Sequence, residues 1–352
     1  LIVGGKPPQN IQKTPLVYLT ESGKEPKKLH EVQGGFLSVY DGSLYYTNKN
    51  AISKIEPMVV SSNGSVVISD NSGVSVPKSE DTVAIGRSTG GENDVDSSVL
   101  IGNYAGSKME SGGTHVVIGV GSAKNLQTGE SNTITGYNTY RALKSGSNNI
   151  GIGNDIGKDI SECYDNIAIG SNALKNSHSM GGNISIGSGS MGECGQGQSN
   201  VAIGRDSLSK IQDNWNIAIG DSSGKRLNGF NTERNIIIGI ESCGNATVNV
   251  SGNIAMGHRV LFNPSCFAFN NVMIGNEVAS DPVSDIALSG NVMIGENVGK
   301  TSKGVVDSVI IGSDAGVSVS GRKTIIIGNN AASHTQGKCG GEVIIGQGAG
   351  SY

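Results

Sequence analysis

Between Thr82 and Gly346 the apolar residues follow one pattern, Val/Ile-X-Ile-Gly, written sixteen times. The closing glycines run from Gly86 to Gly346 at a mean step of about 17 residues, and every step from Gly102 to Gly204 is 17. The residue three before the glycine is Val or Ile in fifteen copies, with Thr133 the exception. The residue one before it is Ile in fourteen, with Thr135 and Met256 the exceptions. Two β-branched positions separated by one residue share a face of a short strand, and the glycine ends that strand. Three residues past the glycine stands a small or β-branched side chain in all sixteen copies, which predicts a second inward layer beyond a corner. The rest of each unit is Gly, Ser, Asn, Lys and Asp, the chemistry of turns. A repeat this short and regular predicts an all-β fold, an elongated β-solenoid or β-roll-like rod of about 4.8 Å per coil.

The Ile/Val pair reads as the inner core of each coil, which leaves the middle residue to face outward. That residue is small through the centre (Gly151, Ala168, Ser185, Ala202, Ala218, Ala255) and large towards the C-terminus (Met273, Met293, Ile310, Ile326, Ile344). The distal strands are therefore expected to be apolar on both faces and to pack against a sister chain. One coil buries too little apolar area to offset the ordering entropy of some 17 residues. Stacking of coils and association of chains are both expected. Asn stands four residues before the glycine in ten copies, from Asn132 to Asn291, which predicts a ladder of side-chain amides serving the backbone at one corner.

Residues 1–80 lack the repeat and are expected to form a separate β-structured collar or adaptor, with residues 81–352 as the repeat region. Within the collar, 34–47 reads as two strands around Asp41-Gly42.

Composition narrows the class. Gly is 54 of 352 residues and aromatics are only 4%, so closely spaced turns replace an ordinary globular core. The net charge is −4 with no cluster of Lys or Arg, which argues against a nucleic-acid partner. No apolar run is long enough for a membrane-spanning helix, so no membrane insertion is expected. The five cysteines show no C-x-x-C spacing and their number is odd, so neither a metal site nor a disulfide framework is indicated, and no cofactor is expected. Free thiols suit assembly in a reducing cytoplasm. The chain begins at Leu1 without a start methionine, as expected of an internal fragment.

The units 166–174 (Asn-Ile-Ala-Ile-Gly-Ser-Asn-Ala-Leu), 200–208 and 216–224 resemble repeats of bacteriophage tail fibres and are also similar to the heads of trimeric autotransporter adhesins. The resemblance covers residues 82–350. It implies a homotrimer that joins other tail proteins and binds a host-surface glycan or outer-membrane protein. The virion tail is the implied location, with assembly in the host cytoplasm. In such fibres a C-terminal intramolecular chaperone often follows the repeats and is removed after trimerisation; the end at Tyr352 fits either that removal or a cut chain. The repeat is longer and less even than an adhesin head, and no coiled-coil stalk accompanies it, so the phage reading is preferred over a bacterial adhesin.

Related tailspikes can be polysaccharide depolymerases, which need two carboxylates beside an aromatic-lined groove. The densest acidic group is Asp155, Asp159, Glu162 and Asp165, next to Tyr164, and it reads as a solvated outer loop. Glu92, Asp94 and Asp96 read the same way. No order of residues for nucleophilic catalysis and no phosphate-binding loop is present, so no enzyme is expected. Binding candidates are the aromatics of the widest repeats, Phe262, Phe267 and Phe269, then Trp215 before a repeat strand, then Tyr137 and Tyr140. The alternative for each is packing.

Overall fold

The computed structural model describes residues 81–351, apart from 91–94, 178–179, 230, 247–248, 265–266, 283–286 and 334–337, together with seven strands among the first 80 residues. The chain divides into two compact units, Leu1–Asn132 and Thr133–Tyr352. No helix occurs among the described residues.

In the first unit, Leu16–Leu19 pairs antiparallel with Lys27–Glu31, and Phe36–Tyr40, Ser43–Asn48 and Ala51–Ile55 form an antiparallel meander. Tyr40 stands opposite Ser43, so the two strands expected around Asp41-Gly42 are present. Met58–Val60 pairs antiparallel with Val66–Ile68, which then pairs parallel with the first repeat strand, Val83–Ile85. The parallel ladder therefore begins one strand before the motif does. Val99–Ile101 and Val116–Ile118 continue it.

The second unit is a β-solenoid. Its thirteen motif strands run from Thr133–Thr135 to Val343–Ile345, and each pairs in parallel with its neighbours in that series. Register is strict: Ile150 lies beside Ile167 and Ile169 beside Ile186, so like residues form columns. A second, shorter row of parallel strands precedes the motif strands, for example Glu162–Tyr164 beside Met180–Gly181 and Ala268–Phe269 beside Leu288–Ser289.

The motif glycine is required twice over. Gly170 has φ +123°, a value closed to residues with a side chain, and a Cβ there would lie 2.7 Å from the carbonyl of Gly187 in the next coil. The same approach repeats at Gly187 against Gly204 and at Gly275 against Gly295.

The faces of the strand are the reverse of the expectation. The middle residue is buried in the interior, as at Ala168, Ala202, Met273 and Ile310, while the flanking Val and Ile residues point outward. The reason lies two and four residues past the glycine, where the chain adopts positive φ in most coils, as at Asn172 (60°) and Leu174 (53°). These left-handed corners fold the segment after the glycine back beneath the middle residue. The fourth side chain then enters the core, fully buried at Leu174, Met191 and Leu208. A non-glycine residue in this conformation costs on the order of 1 kcal/mol, which burial of a whole Leu or Met offsets. The residue three past the glycine is inward as expected, and its hydroxyl, where present, donates to the neighbouring coil, as Thr139 does to Gly153 and Ser207 to Ala218.

Two side chains six residues apart share a narrow interior, and in most coils their sizes are complementary; Ala218 and Gly224 are both small, and Leu208 of the preceding coil fills the space beside Gly224. Small middle residues accompany large partners, Ala168 with Leu174, Ser185 with Met191 and Ala255 with Leu261. Large middle residues accompany Gly or Ala, Met293 with Gly299, Ile310 with Gly316 and Ile326 with Ala332. A Cβ on Gly316 would sit 3.1 Å from Cγ2 of Ile310. The large distal residues thus reflect this exchange of volume, not a second buried face. Ile134 and Tyr140 are both large, and the next coil makes room: a Cβ on Gly151 or Gly157 would strike the Tyr140 ring at 2.6 and 2.5 Å.

The Asn ladder forms as expected in the second unit. Asn149 Oδ1 accepts from the backbone N–H of Asn166 at 3.2 Å and from its Nδ2 at 3.1 Å, and Asn166 Nδ2 also donates to the Met180 carbonyl. Each further Asn to Asn291 accepts from the next coil's backbone in the same way, and the last passes to the Ser308 N–H. All are buried, so the column satisfies backbone groups that would otherwise be stranded. In the first unit the column is Thr82, Ser98 and His115, with Asn132 accepted by the His ring.

A complementary exchange tests the inward pairing. Gly316→Leu should overpack against Ile310 and cost about 1–3 kcal/mol. Ile310→Ala alone should cost about 2–5 kcal/mol through a cavity. The double substitution rebuilds an Ala/Leu pair and should recover at least about 1 kcal/mol relative to the sum, read from denaturant midpoints.

His115 gives a pH dependence. Its Nε2–H donates to the Gly129 carbonyl at 3.1 Å while Nδ1 accepts from the Asn132 N–H at 3.3 Å, so the neutral ring is the one that fits. Burial lowers its pKa below the usual 6.5, against the opposing pull of the Gly129 carbonyl and Glu130. The unfolded chain therefore binds the proton more readily. Stability of the first unit should be flat above pH 7 and fall as pH drops through about 6.5. His115→Asn, which restores the ladder residue, should remove that slope in melts recorded between pH 8 and 5.

Candidate interaction surface

The outward face of the motif strands is made of two columns, and in the second unit these carry Val, Ile or Met at every rung except Thr133 and Thr135. No charged residue interrupts either column. Ile152 is 42% exposed and Ile219 and Ile236 are 36% exposed. Thirteen rungs at about 4.8 Å, each about 10 Å wide, give a strip of roughly 600 Å² in plan. That is at the upper end of what isolated proteins leave uncovered and is comparable to one side of a standard interface.

The charged groups gather elsewhere, at the corner after the glycine. There Arg205 pairs with Asp221 at 2.6 Å and Lys225 with Asp206 at 2.9 Å, each across one coil boundary. Glu241, Arg259, Glu277 and Lys300 form a chain of charges over successive coils. The Lys300 ammonium, first, and Arg259 hold the Glu277 carboxyl below its usual range. These exposed pairs bind coil to coil and keep their charge off the Ile/Val face.

The aromatic candidates do not form one site. Phe267 and Phe269 flank buried Ala268 on the outer side of the second strand row, with ring centroids 6.1 Å apart, and Phe267 is 47% exposed. Phe262 lies apart from them at a corner, under the Arg259 guanidinium 4.3 Å above its ring. Trp215 is 51% exposed at the corner before its strand, where Arg234 of the next coil stacks 5.2 Å from the ring centroid. Tyr137 is exposed at the opposite corner, directly after Gly136. Tyr140 is completely buried, so it belongs to the core and cannot meet a ligand at the surface. Tyr164, beside the acidic group, is exposed with its hydroxyl bonded to Ser145 at 3.1 Å, and Tyr104, beneath Lys124 Nζ at 4.8 Å, is an exposed aromatic that the sequence does not single out.

No protein family, curated protein or solved structure matches this chain.

The acidic group of the fifth and sixth repeats is spread along the outside of one coil. Exposed Asp159, Glu162 and Asp165 alternate with buried Ile156, Ile160, Cys163 and Asn166. Asp155 lies 3.7 Å from Lys158, and Asp165 accepts from Asn148. Among the described residues no three His, Cys, Asp or Glu side chains are grouped to hold a metal ion. Burial raises the thiols of Cys163, Cys194 and Cys243 to about 12, so they behave as core residues.

Neighbouring residues on one strand separate face from core. Ala202→Asp buries an uncompensated carboxylate and should prevent folding. Ile203→Asp places the same charge outward and should preserve the β-type circular dichroism spectrum. Equal loss of structure in both variants would restore the Ile/Val stripe to the interior.

Proposed function

We propose that this chain is a structural and receptor-binding segment of a viral tail fibre, assembled as a homotrimer in the host cytoplasm and directed at the host cell surface. The observation that carries the reading is the uncharged Ile/Val face, a surface too long and too apolar to be left in water. Three copies turned towards a common axis would bury all three faces at once in a closed cyclic assembly. The resemblance of the repeats to tail-fibre units supports the same reading, and the buried thiols of Cys163, Cys194 and Cys243 fit a reducing compartment.

The host contact falls to the outward aromatics. The paired rings of Phe267 and Phe269 are the first candidate and Trp215 with its Arg234 partner the second. Planar faces of this kind stack on sugar rings or apolar protein surfaces, and threefold presentation would raise the overall affinity without new contacts.

Sedimentation should give a particle near three times 36.1 kDa, and Ile203→Asp should release monomers. The trimer should bind capsule or O-antigen polysaccharide from a susceptible host without shortening it, and Phe267→Ala/Phe269→Ala should weaken that binding. A monomeric parent protein would refute the trimer. Depolymerisation abolished by Asp159→Asn/Glu162→Gln would make the chain a tailspike enzyme instead.

A further inference from the structure

The repeat that builds the outward face also creates an ambiguity. Rungs are nearly identical from coil to coil, so two copies associating through their Ile/Val columns could slip by one rung and lose only the contacts of the terminal rung. Faces without distinguishing features specify register weakly. One rung differs. Thr133-Ile134-Thr135 presents a hydroxyl in each flanking column, where every other rung of the second unit presents Val, Ile or Met. Ile134 between them is fully buried, and both threonines are half-exposed on the outer side. Their backbones are engaged in the ladder beside Ile150 and Ile152, so the hydroxyls are what this rung offers outward.

We propose that the Thr133/Thr135 rung is the register key of self-association: copies of this chain dock in parallel with these threonines facing one another. The inference rests on the self-association proposed above and adds how its alignment is chosen. In register, each hydroxyl meets hydroxyls of the same rung, and since a hydroxyl both donates and accepts, the set can close on itself. Shifted by one rung, the same hydroxyls are pressed against Ile150 and Ile152 with no partner, and burial of an unpaired polar group opposes that arrangement. An antiparallel pairing sets them against rungs near the other end and meets the same penalty. A single polar layer in an apolar seam fixes register and orientation in coiled coils by this mechanism. No partner of different sequence would supply the matching hydroxyls at the same height, which is why a second copy of this chain is the occupant named.

The test uses the full chain with a reporter cysteine on the outward column, Ile186→Cys, mixed with chains carrying Ile203→Cys one rung on. The buried thiols of Cys163, Cys194 and Cys243 stay out of the reaction, and protein without a reporter serves as the control. After mild oxidation, peptide mass spectrometry counts 186–186 against 186–203 disulfides. With the threonines present, the in-register product should exceed the slipped one by roughly tenfold. In the Thr133→Ile/Thr135→Ile background, which restores the common motif and leaves the core intact, the two products should become comparable. Thr133→Ser/Thr135→Ser should keep the preference. A preference undiminished by the Ile pair would overturn the key while leaving self-association standing. A folded monomer with no interchain disulfide in any background would instead overturn the reading beneath it.

Discussion

The contact on which this structure depends is between backbones. At the motif glycines from Gly136 to Gly328 the chain approaches the glycine carbonyl of the next coil so closely that a methyl group would overlap it, and it does so at a φ that no side chain tolerates. That approach ends the strand in most coils, while in Ile254–His258, Val272–Asn276 and Val292–Glu296 the pairing runs two residues further, and in all of them it holds the coils in register. Once it is in place, the remaining columns follow, because each residue is carried to the same height and angle as its counterpart one repeat away. Variation in repeat length is absorbed between the columns: steps of 18 to 20 residues occur between Gly239 and Gly295, yet the strands of those coils pair residue for residue.

Two further constraints act within that frame. The Asn column turns a corner full of backbone donors and acceptors into a buried, saturated network, and Ser, Thr or His takes over where the Asn run ends. The interior admits little volume, so its two main columns trade size with each other. Tyr140 shows the limit of the exchange: its ring occupies space that two glycines of the following coil leave open, and its hydroxyl is buried without a partner. Unpaired polar burial of this kind is costly, and the coil bears it in exchange for the apolar contacts of the ring.

The functional reading is a consequence of this economy. A coil with so little internal volume sends its largest regular apolar columns outward, and the ion pairs that link neighbouring coils lie along a different edge. An apolar strip and a charged ribbon thus divide the surface of one solenoid, and the proposed self-association rests on that division. Phe267, Phe269 and Trp215 fall outside both, on the second strand row and at the corner before a strand.

The sequence by itself determined the all-β solenoid, the strand that each motif copy forms, the inward residue three past the glycine and the Asn ladder. Each of these rests on local chemistry repeated at a fixed step: β-branching, glycine, and an amide that can both donate and accept. What the tertiary structure decided is which side of the strand is inside. Alternation gives two faces but no sign, and the more uniformly apolar pair reads as the core. The sign is set by the left-handed residues two and four past the glycine, which return the chain beneath the middle residue, and residues such as Asn172 and Leu174 do not announce that conformation as a glycine would. A trace of the answer was legible, since Ala168 with Leu174 and Ile310 with Gly316 already vary inversely. It could be read as packing only after the structure placed those residues against one another. The same holds for Tyr140 and Trp215. Both are aromatic residues near a repeat strand, and one is sealed in the core while the other stands half in solvent, because the first lies four past a glycine and the second five before one.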